Sequence, residues 1–272
     1  MTPCYFTDIF KPDGPAEKPI AAVIWVSMEK IPHTNMPIKN AREAHPGRFQ
    51  RLYAKLSPAA LIILALLVGQ APFLSNFLSW QMTFFHEISH GLAALVTGGR
   101  VLKIEFNFSG SGVCYTSGGL RWLIFLAGYA GSALWGSLLY LLADAIPKNR
   151  SHLLAAGLVA GLAASGLLYA RDFQSWTIIS SIAILYAVAI KFRDKLPLKL
   201  FLKLAGLYII LDAFKAQILL FRSHAISDAT GLAGQTGVPE FFWIIFWLAT
   251  AAGCLAFIWK IEKRPVTVPL KE

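Results

Sequence analysis

The sequence between residues 57 and 262 consists mainly of apolar runs that contain few charged side chains. A helix needs about 20 apolar residues to cross the hydrocarbon core of a bilayer. Several runs approach this length, and we expect spans at Ser57–Leu78, Gln81–Thr97, Leu120–Leu142, Leu153–Ala170, Trp176–Ile190, Leu198–Phe221 and Glu240–Ile261. The pattern predicts an all-α polytopic membrane protein of about seven spans, with a membrane domain at residues 57–262.

The two ends of the chain differ from this domain. Residues 1–56 contain seven prolines and many charged side chains, which predicts a polar, partly disordered N-terminal tail. Residues 263–272 form a polar C-terminal tail by the same criterion. Basic residues before Ser57 favour a cytosolic N-terminus, because positive charge accumulates on the cytosolic side of a membrane. No targeting signal for an organelle is present, so we expect the cell membrane as the location.

The charge of the chain indicates which partners to expect. The formal net charge is +10, yet charged residues make up only 15% of the chain, well below the roughly 25% of a soluble domain. The basic residues lie in the N-terminal tail and between apolar runs, where they can contact anionic lipid head groups. No basic patch is interleaved with aromatic residues, so we expect membrane lipids as partners and no nucleic acid.

A segment between the second and third expected spans has a different pattern. From Val101 to Phe108 polar and apolar residues alternate, and Ser109–Gly112 supplies a turn before a second β-prone run at Val113–Thr116. This period of two predicts a small β-hairpin. An exposed strand edge can hold a substrate as an added strand, which makes the apolar side chains Ile104, Phe106 and Phe108 candidate substrate-binding residues. A loop that only seals the bundle is an equally good interpretation.

The second expected span contains His86, Glu87 and His90 in an HExxH pattern. Two histidines four residues apart project from the same face of a helix, at the spacing that one Zn²⁺ ion needs for two nitrogen ligands. Glu87 lies next to the first ligand, where it can act as a general base toward a metal-bound water. Ionisable side chains inside a membrane span are costly, which favours a metal site over the alternative of a hydrogen-bonded polar cluster.

A catalytic zinc site needs a third protein ligand, and two aspartates compete for this position. Asp212 lies near the middle of the sixth expected span, at the depth expected for the histidines, and depth favours it. Asp228 follows that span in a stretch of small residues and serves only if this stretch folds back into the bundle. The aspartate that does not bind the metal can orient a ligand histidine from behind.

Several segments of the sequence resemble the site-2-protease class of intramembrane zinc metalloproteases, in particular the bacterial-type branch that lacks an inserted PDZ domain. The similar segments are Phe85–Ala94, Thr97–Arg100, Ser111–Val113, Gly118–Gly119, Ala127–Gly131, Ser227–Ala229, Thr236–Pro239 and Trp243. The resemblance implies His86 and His90 as zinc ligands, Glu87 as the general base and a distant aspartate as the third ligand. One departure is that Leu211-Asp212-Ala213 stands where better-studied members have Leu-Asp-Gly, and no Asn-Pro partner is present.

These observations predict a zinc-dependent endopeptidase that binds one Zn²⁺ per chain. Its expected substrate is a membrane protein, cleaved in or near a transmembrane helix. Two alternatives remain open from the sequence. An inactive relative would keep the fold and bind partner proteins, but retention of Glu87 counts against it because zinc binding alone does not need this residue. A transporter would use the ionisable residues as an ion or solute pathway, but the sequence shows no internal inverted repeat.

Overall fold

A computed structural model describes residues 57–195, 197–223 and 227–262. These residues form mainly helices, in the order α1 Pro58–Val68, α2 Pro72–Val96, strands β1 Arg100–Phe106 and β2 Gly112–Ser117, α3 Arg121–Ala145, a 3₁₀ turn at Lys148–Arg150, α4 Ser151–Tyr169, α5 Phe173–Lys191, α6 Leu198–Ser223, α7 Asp228–Thr236 and α8 Glu240–Glu262. The architecture confirms a helical membrane protein with one β-hairpin. The expected tails at 1–56 and 263–272 lie outside the described residues.

Within the described part of the chain, five helices are long and apolar enough to cross a membrane. They are α3, α4 with its preceding 3₁₀ turn, α5, α6 and α8. The chain is therefore an integral membrane protein. Helix α2 is as long as α3 but carries the HExxH residues, and it packs against α3, α6 and the hairpin.

The beginning of the bundle differs from the expected spans. A single first span through Leu78 is wrong, because α1 ends at Val68, and its C-cap is Gly69. Helix α2 then begins at Pro72 and continues without a break through the region expected to separate two spans. Proline suits the first turn of a helix and cannot continue a preceding one, so Pro72 sets this boundary.

The β-hairpin is confirmed, and its strands are antiparallel with Ile104 opposite Cys114. The inner strand β1 is fixed to helix α5, because the Phe106 amide donates a hydrogen bond of 2.8 Å to Ser175 Oγ. Asp172 in turn caps α5 by accepting hydrogen bonds from the Ser175 amide and hydroxyl. Strand β2 is thus the outer strand of the sheet.

The Asp172 cap has an electrostatic consequence. Desolvation raises the pKa of this carboxyl. The hydrogen bonds from Ser175 lower the pKa and outweigh desolvation, so that the pKa lies below the usual value. A carboxylate at a helix N-terminus also interacts favourably with the helix dipole.

The side chains of Ile104, Phe106 and Phe108 pack against the helices of the bundle. Ile104 is 2% exposed and Phe106 is 4% exposed, and both belong to the core beside Phe84. Phe108 is 45% exposed and packs beside Trp80, whose indole N–H donates to the Phe108 carbonyl. Substrate binding by these three residues stays a prediction, and the burial of Ile104 and Phe106 counts against it. Alternation defines two faces of a strand, but it does not say which one the bundle covers.

Helices α3 and α6 form the central antiparallel pair of the bundle. Their backbones meet at Gly136 and Gly206, where an added Cβ on either residue would lie 2.6–2.7 Å from the carbonyl oxygen of the other. At the far end of the same pair, buried Lys203 contacts Asp144 and Glu262 and so links α3, α6 and α8. The glycine contact and the Lys203 cluster together fix α3 against α6. Helix α2, which carries the HExxH residues, packs against both of these helices.

Candidate metal centre

Helix α2 presents His86 and His90 toward α3. Their Nε2 atoms lie 3.0 Å apart, which confirms that the four-residue spacing brings both rings to the same point. The His90 Nδ1–H donates a hydrogen bond of 2.6 Å to the Ile124 carbonyl. This bond fixes the tautomer in which the Nε2 lone pair is free for a metal ion.

Asp228, the first residue of the short helix α7, brings a carboxylate oxygen to the two imidazoles. Its Oδ2 lies 3.1 Å from His86 Nε2 and 3.3 Å from His90 Nε2. Ser227 caps α7 with a reciprocal capping box, which fixes the start of the helix. Ala229 and Leu232 are fully buried and anchor the same helix in the core, so the carboxylate is held at the histidines by packing.

The three ligand atoms have the geometry of a metal site. In a tetrahedral zinc site with bonds of 2.0–2.1 Å, neighbouring ligand atoms lie about 3.3 Å apart. The distances of 3.0–3.3 Å between these atoms match that value. Asp228 Oδ2 is also buried and accepts no hydrogen bond from any residue that the structure describes. Two imidazole nitrogens and one carboxylate oxygen that converge at these distances suit Zn²⁺.

The structure places Asp228, and not the favoured Asp212, beside the two histidines. Among the described residues, the histidines cluster with Asp228, and Asp212 is not part of that cluster. Asp212 is 9% exposed and interacts instead with Lys215, Ser79 and Tyr208. The depth argument failed because α7 packs on α3 and brings a carboxylate to the histidines without belonging to a span.

Glu87 lies on the other side of the histidines, 3% exposed, against the hairpin. Its carboxylate accepts a hydrogen bond from the Cys114 amide in β2. A Cβ at Gly112 would lie 2.8 Å from Glu87 Oε1, so only glycine allows the strand to approach so closely. The hairpin therefore packs directly against Glu87, and Gly112 is the only feature of the sequence that points to this contact.

Gly128 on α3 leaves space for the two imidazoles, as Gly112 on β2 leaves space for Glu87. An added Cβ there would lie 2.6 Å from the Cε1 atoms of both His86 and His90. The helix backbone therefore forms the wall behind the two imidazoles. The next residue, Tyr129, packs its ring edge-on against His86 with ring centroids 4.3 Å apart. No motif in the sequence predicts a role for Tyr129, although it lies in the Ala127–Gly131 segment that resembles the family.

A cavity of about 870 Å³ opens onto these groups. Helix α2 contributes the HExxH residues, α3 contributes Arg121 and Tyr129, and α7 contributes Asp228. Residues 110–116 of the hairpin line the same space, whereas Ile104, Phe106 and Phe108 do not. The cavity therefore brings Glu87 and the three converging ligand atoms into one space.

A cavity with an HExxH helix and a converging carboxylate, inside a bundle of membrane-crossing helices, defines a protein of the membrane metallopeptidase class. A family model described as peptidase M50B-like matches residues 59–258. The match covers most of the chain, and the protein belongs to this family, a branch of the site-2-protease group. Comparison with the curated proteins and with the solved structures gave no match.

Proposed function

We propose that this protein is a zinc-dependent intramembrane endopeptidase, which hydrolyses a peptide bond in or next to a transmembrane helix of a membrane protein substrate. The observation that carries the proposal is the convergence of His86, His90 and Asp228 beside Glu87 in one cavity. Family membership supports the same activity.

The residues divide the chemistry between them. His86, His90 and Asp228 would hold one Zn²⁺, which supplies a Lewis acid that polarises the scissile carbonyl and activates water. Glu87 takes the proton from the attacking water and returns it to the leaving amide nitrogen, so it acts first as a base and then as an acid. The Ile124 carbonyl keeps His90 in its ligand tautomer throughout. Low exposure of Glu87 and His90 keeps bulk water away from these groups.

The outer strand β2 is the proposed substrate platform. A helical substrate hides its carbonyl groups in internal hydrogen bonds and must unwind before hydrolysis. The outer edge of β2 faces Glu87 at Cys114, because the Cys114 amide points to the carboxylate and away from β1. A substrate segment that adds to this edge would pass through the cavity beside the general base. Backbone pairing, and not the apolar side chains of β1, would then hold the substrate.

One purification in detergent tests the proposal. We expect about one zinc per chain in the wild-type protein and cleavage of a model membrane peptide. His86→Ala and His90→Ala should each lose the metal, because each removes one of three ligands. Glu87→Gln should keep the metal and lose proteolysis, because this residue acts on water without binding zinc.

Two outcomes would contradict the proposal. Full zinc content in both histidine variants would place any metal elsewhere in the chain. A fully active Glu87→Gln variant would remove the mechanism, and it would favour a role in which the buried charge serves another purpose, such as ion transport.

A further inference from the structure

Tyr129 lines the cavity, but the mechanism proposed for the HExxH residues and Asp228 gives it no role. It follows Gly128 on α3, at the point where the helix backbone closes on the two histidines. Its side chain lines the same cavity as His86, Glu87 and Asp228. A tyrosine in this position therefore lies beside the reacting groups.

The ring of Tyr129 is held on two sides. One contact is the edge-on packing against His86, and the other is Trp247, whose ring centroid lies 5.2 Å away. Trp247 is itself fixed, since it is 1% exposed and its indole N–H donates a hydrogen bond of 3.0 Å to the Leu126 carbonyl. Two fixed neighbours leave the ring little freedom to change its orientation.

The hydroxyl of Tyr129, in contrast, forms no hydrogen bond with any residue in the ranges 57–195, 197–223 and 227–262. Two hydroxyls on helix α2 beside the HExxH residues do have partners, since Ser89 donates to the Phe85 carbonyl at 2.6 Å and Thr83 donates to the Gly110 carbonyl at 2.6 Å. The Tyr129 hydroxyl interacts electrostatically with the carboxylates of Asp228 and Glu87. It is thus a rigidly held donor without a partner, close to both the metal ligands and the general base.

We propose that Tyr129 is a catalytic residue, and that its hydroxyl donates a hydrogen bond to the oxyanion that develops on the scissile carbonyl. This inference rests on the proposed protease function. Attack by water forms the new carbon–oxygen bond, the carbonyl π electrons move to the oxygen, and Glu87 takes the proton of the water. Tyr129 keeps its own proton and stabilises the negative oxygen. The carbon–nitrogen bond then breaks, and the proton on Glu87 goes to the nitrogen.

A preorganised donor is most effective when it meets charge that exists only in the transition state. Loss of one such donor lowers kcat by roughly 100-fold or more in well-studied enzymes. Tyr129→Phe removes the hydroxyl and retains the ring that packs on His86 and Trp247. We expect a fall in kcat of about 100-fold, with KM and zinc content unchanged.

Two binding measurements separate this role from a structural one. A phosphinic peptide, which mimics the tetrahedral intermediate, should bind Tyr129→Phe about 100-fold more weakly than it binds the wild type. In a Glu87→Gln background, uncleaved substrate should bind equally well with and without the Tyr129→Phe change, because the ground state carries no oxyanion.

Tyr140→Phe is the matched control. Tyr140 lies on the same helix, about 16 Å further along its axis, and its hydroxyl donates a hydrogen bond to Glu262. This variant should keep wild-type kcat.

Wild-type kcat in Tyr129→Phe, an unchanged affinity for the phosphinic peptide, or a loss of zinc would each overturn the role of Tyr129 and leave the protease function standing. If the wild type cleaves nothing, or if Glu87→Gln is fully active, the proposed function itself fails.

Discussion

Substitution of Gly128 by alanine tests whether the clearance behind the histidines shapes the metal site. The new Cβ would lie 2.6 Å from the Cε1 atoms of His86 and His90. Carbon atoms in contact are normally separated by at least about 3.5 Å, so α2 or α3 must move by about 1 Å. Overpacking of this kind costs about 1–3 kcal/mol. Because the strain falls on two ligands, we expect most of it to appear as weaker zinc binding, by roughly 5- to 150-fold.

The assay is a zinc titration in chelator-buffered solutions, combined with the proteolytic rate at saturating zinc. Gly157→Ala is the matched control, because the added Cβ meets nothing within 4 Å on helix α4. It should leave both zinc affinity and the rate unchanged. Wild-type zinc affinity in Gly128→Ala would refute the reasoning, since it would show that the two helices accommodate the methyl group without disturbing the ligands.

The remaining predictions concern the aspartates and the topology. Asp228→Asn should lose zinc, whereas Asp212→Asn should retain it, and metal analysis that gave the reverse would restore the assignment based on depth. Asp172→Ala should lower the free energy of unfolding by about 1 kcal/mol at neutral pH, measured as a fall in Tm. Because the pKa of this carboxyl is lowered in the folded state, its contribution is complete at neutral pH, starts to fall below about pH 4, and is lost as the pH falls through the folded-state pKa, so the difference between wild type and variant should shrink over that range. Cysteines introduced at Asn40 and Ser109, in a background without native cysteines, should react with thiol reagents only from the cytosolic side, and external labelling of either would overturn the expected orientation.

The part of the site that follows from local geometry was predictable from the sequence. His86, Glu87 and His90 lie on one helix, and the helical period alone places the two imidazoles together. The hairpin also followed from its alternation and its glycine turn. Both features depend on residues that are near each other in the chain, so tertiary packing had little opportunity to alter them.

The parts that depend on distant elements were not predictable in the same way. Asp228 reaches the histidines only because α7 packs on α3, and the depth of a residue within the expected spans does not reveal that contact. The burial of Ile104 and Phe106 depends on the helices that cover one face of β1. The role proposed for Tyr129 depends on its contact with Trp247, more than 100 positions later in the chain.

The contact between Gly136 and Gly206 constrains how this sequence can vary during evolution. Because neither glycine has a side chain, the backbones of the two helices can touch. An added Cβ on either residue would lie only 2.6–2.7 Å from the carbonyl oxygen of the other. No substitution at the other position can relieve that clash, so these two positions should be invariant among homologues and show no covariation. Gly231 presents the opposite case, because its neighbour is the ring of Phe125, 2.7 Å from an added Cβ. A smaller residue at 125 can compensate for alanine at 231, and this pair should vary together.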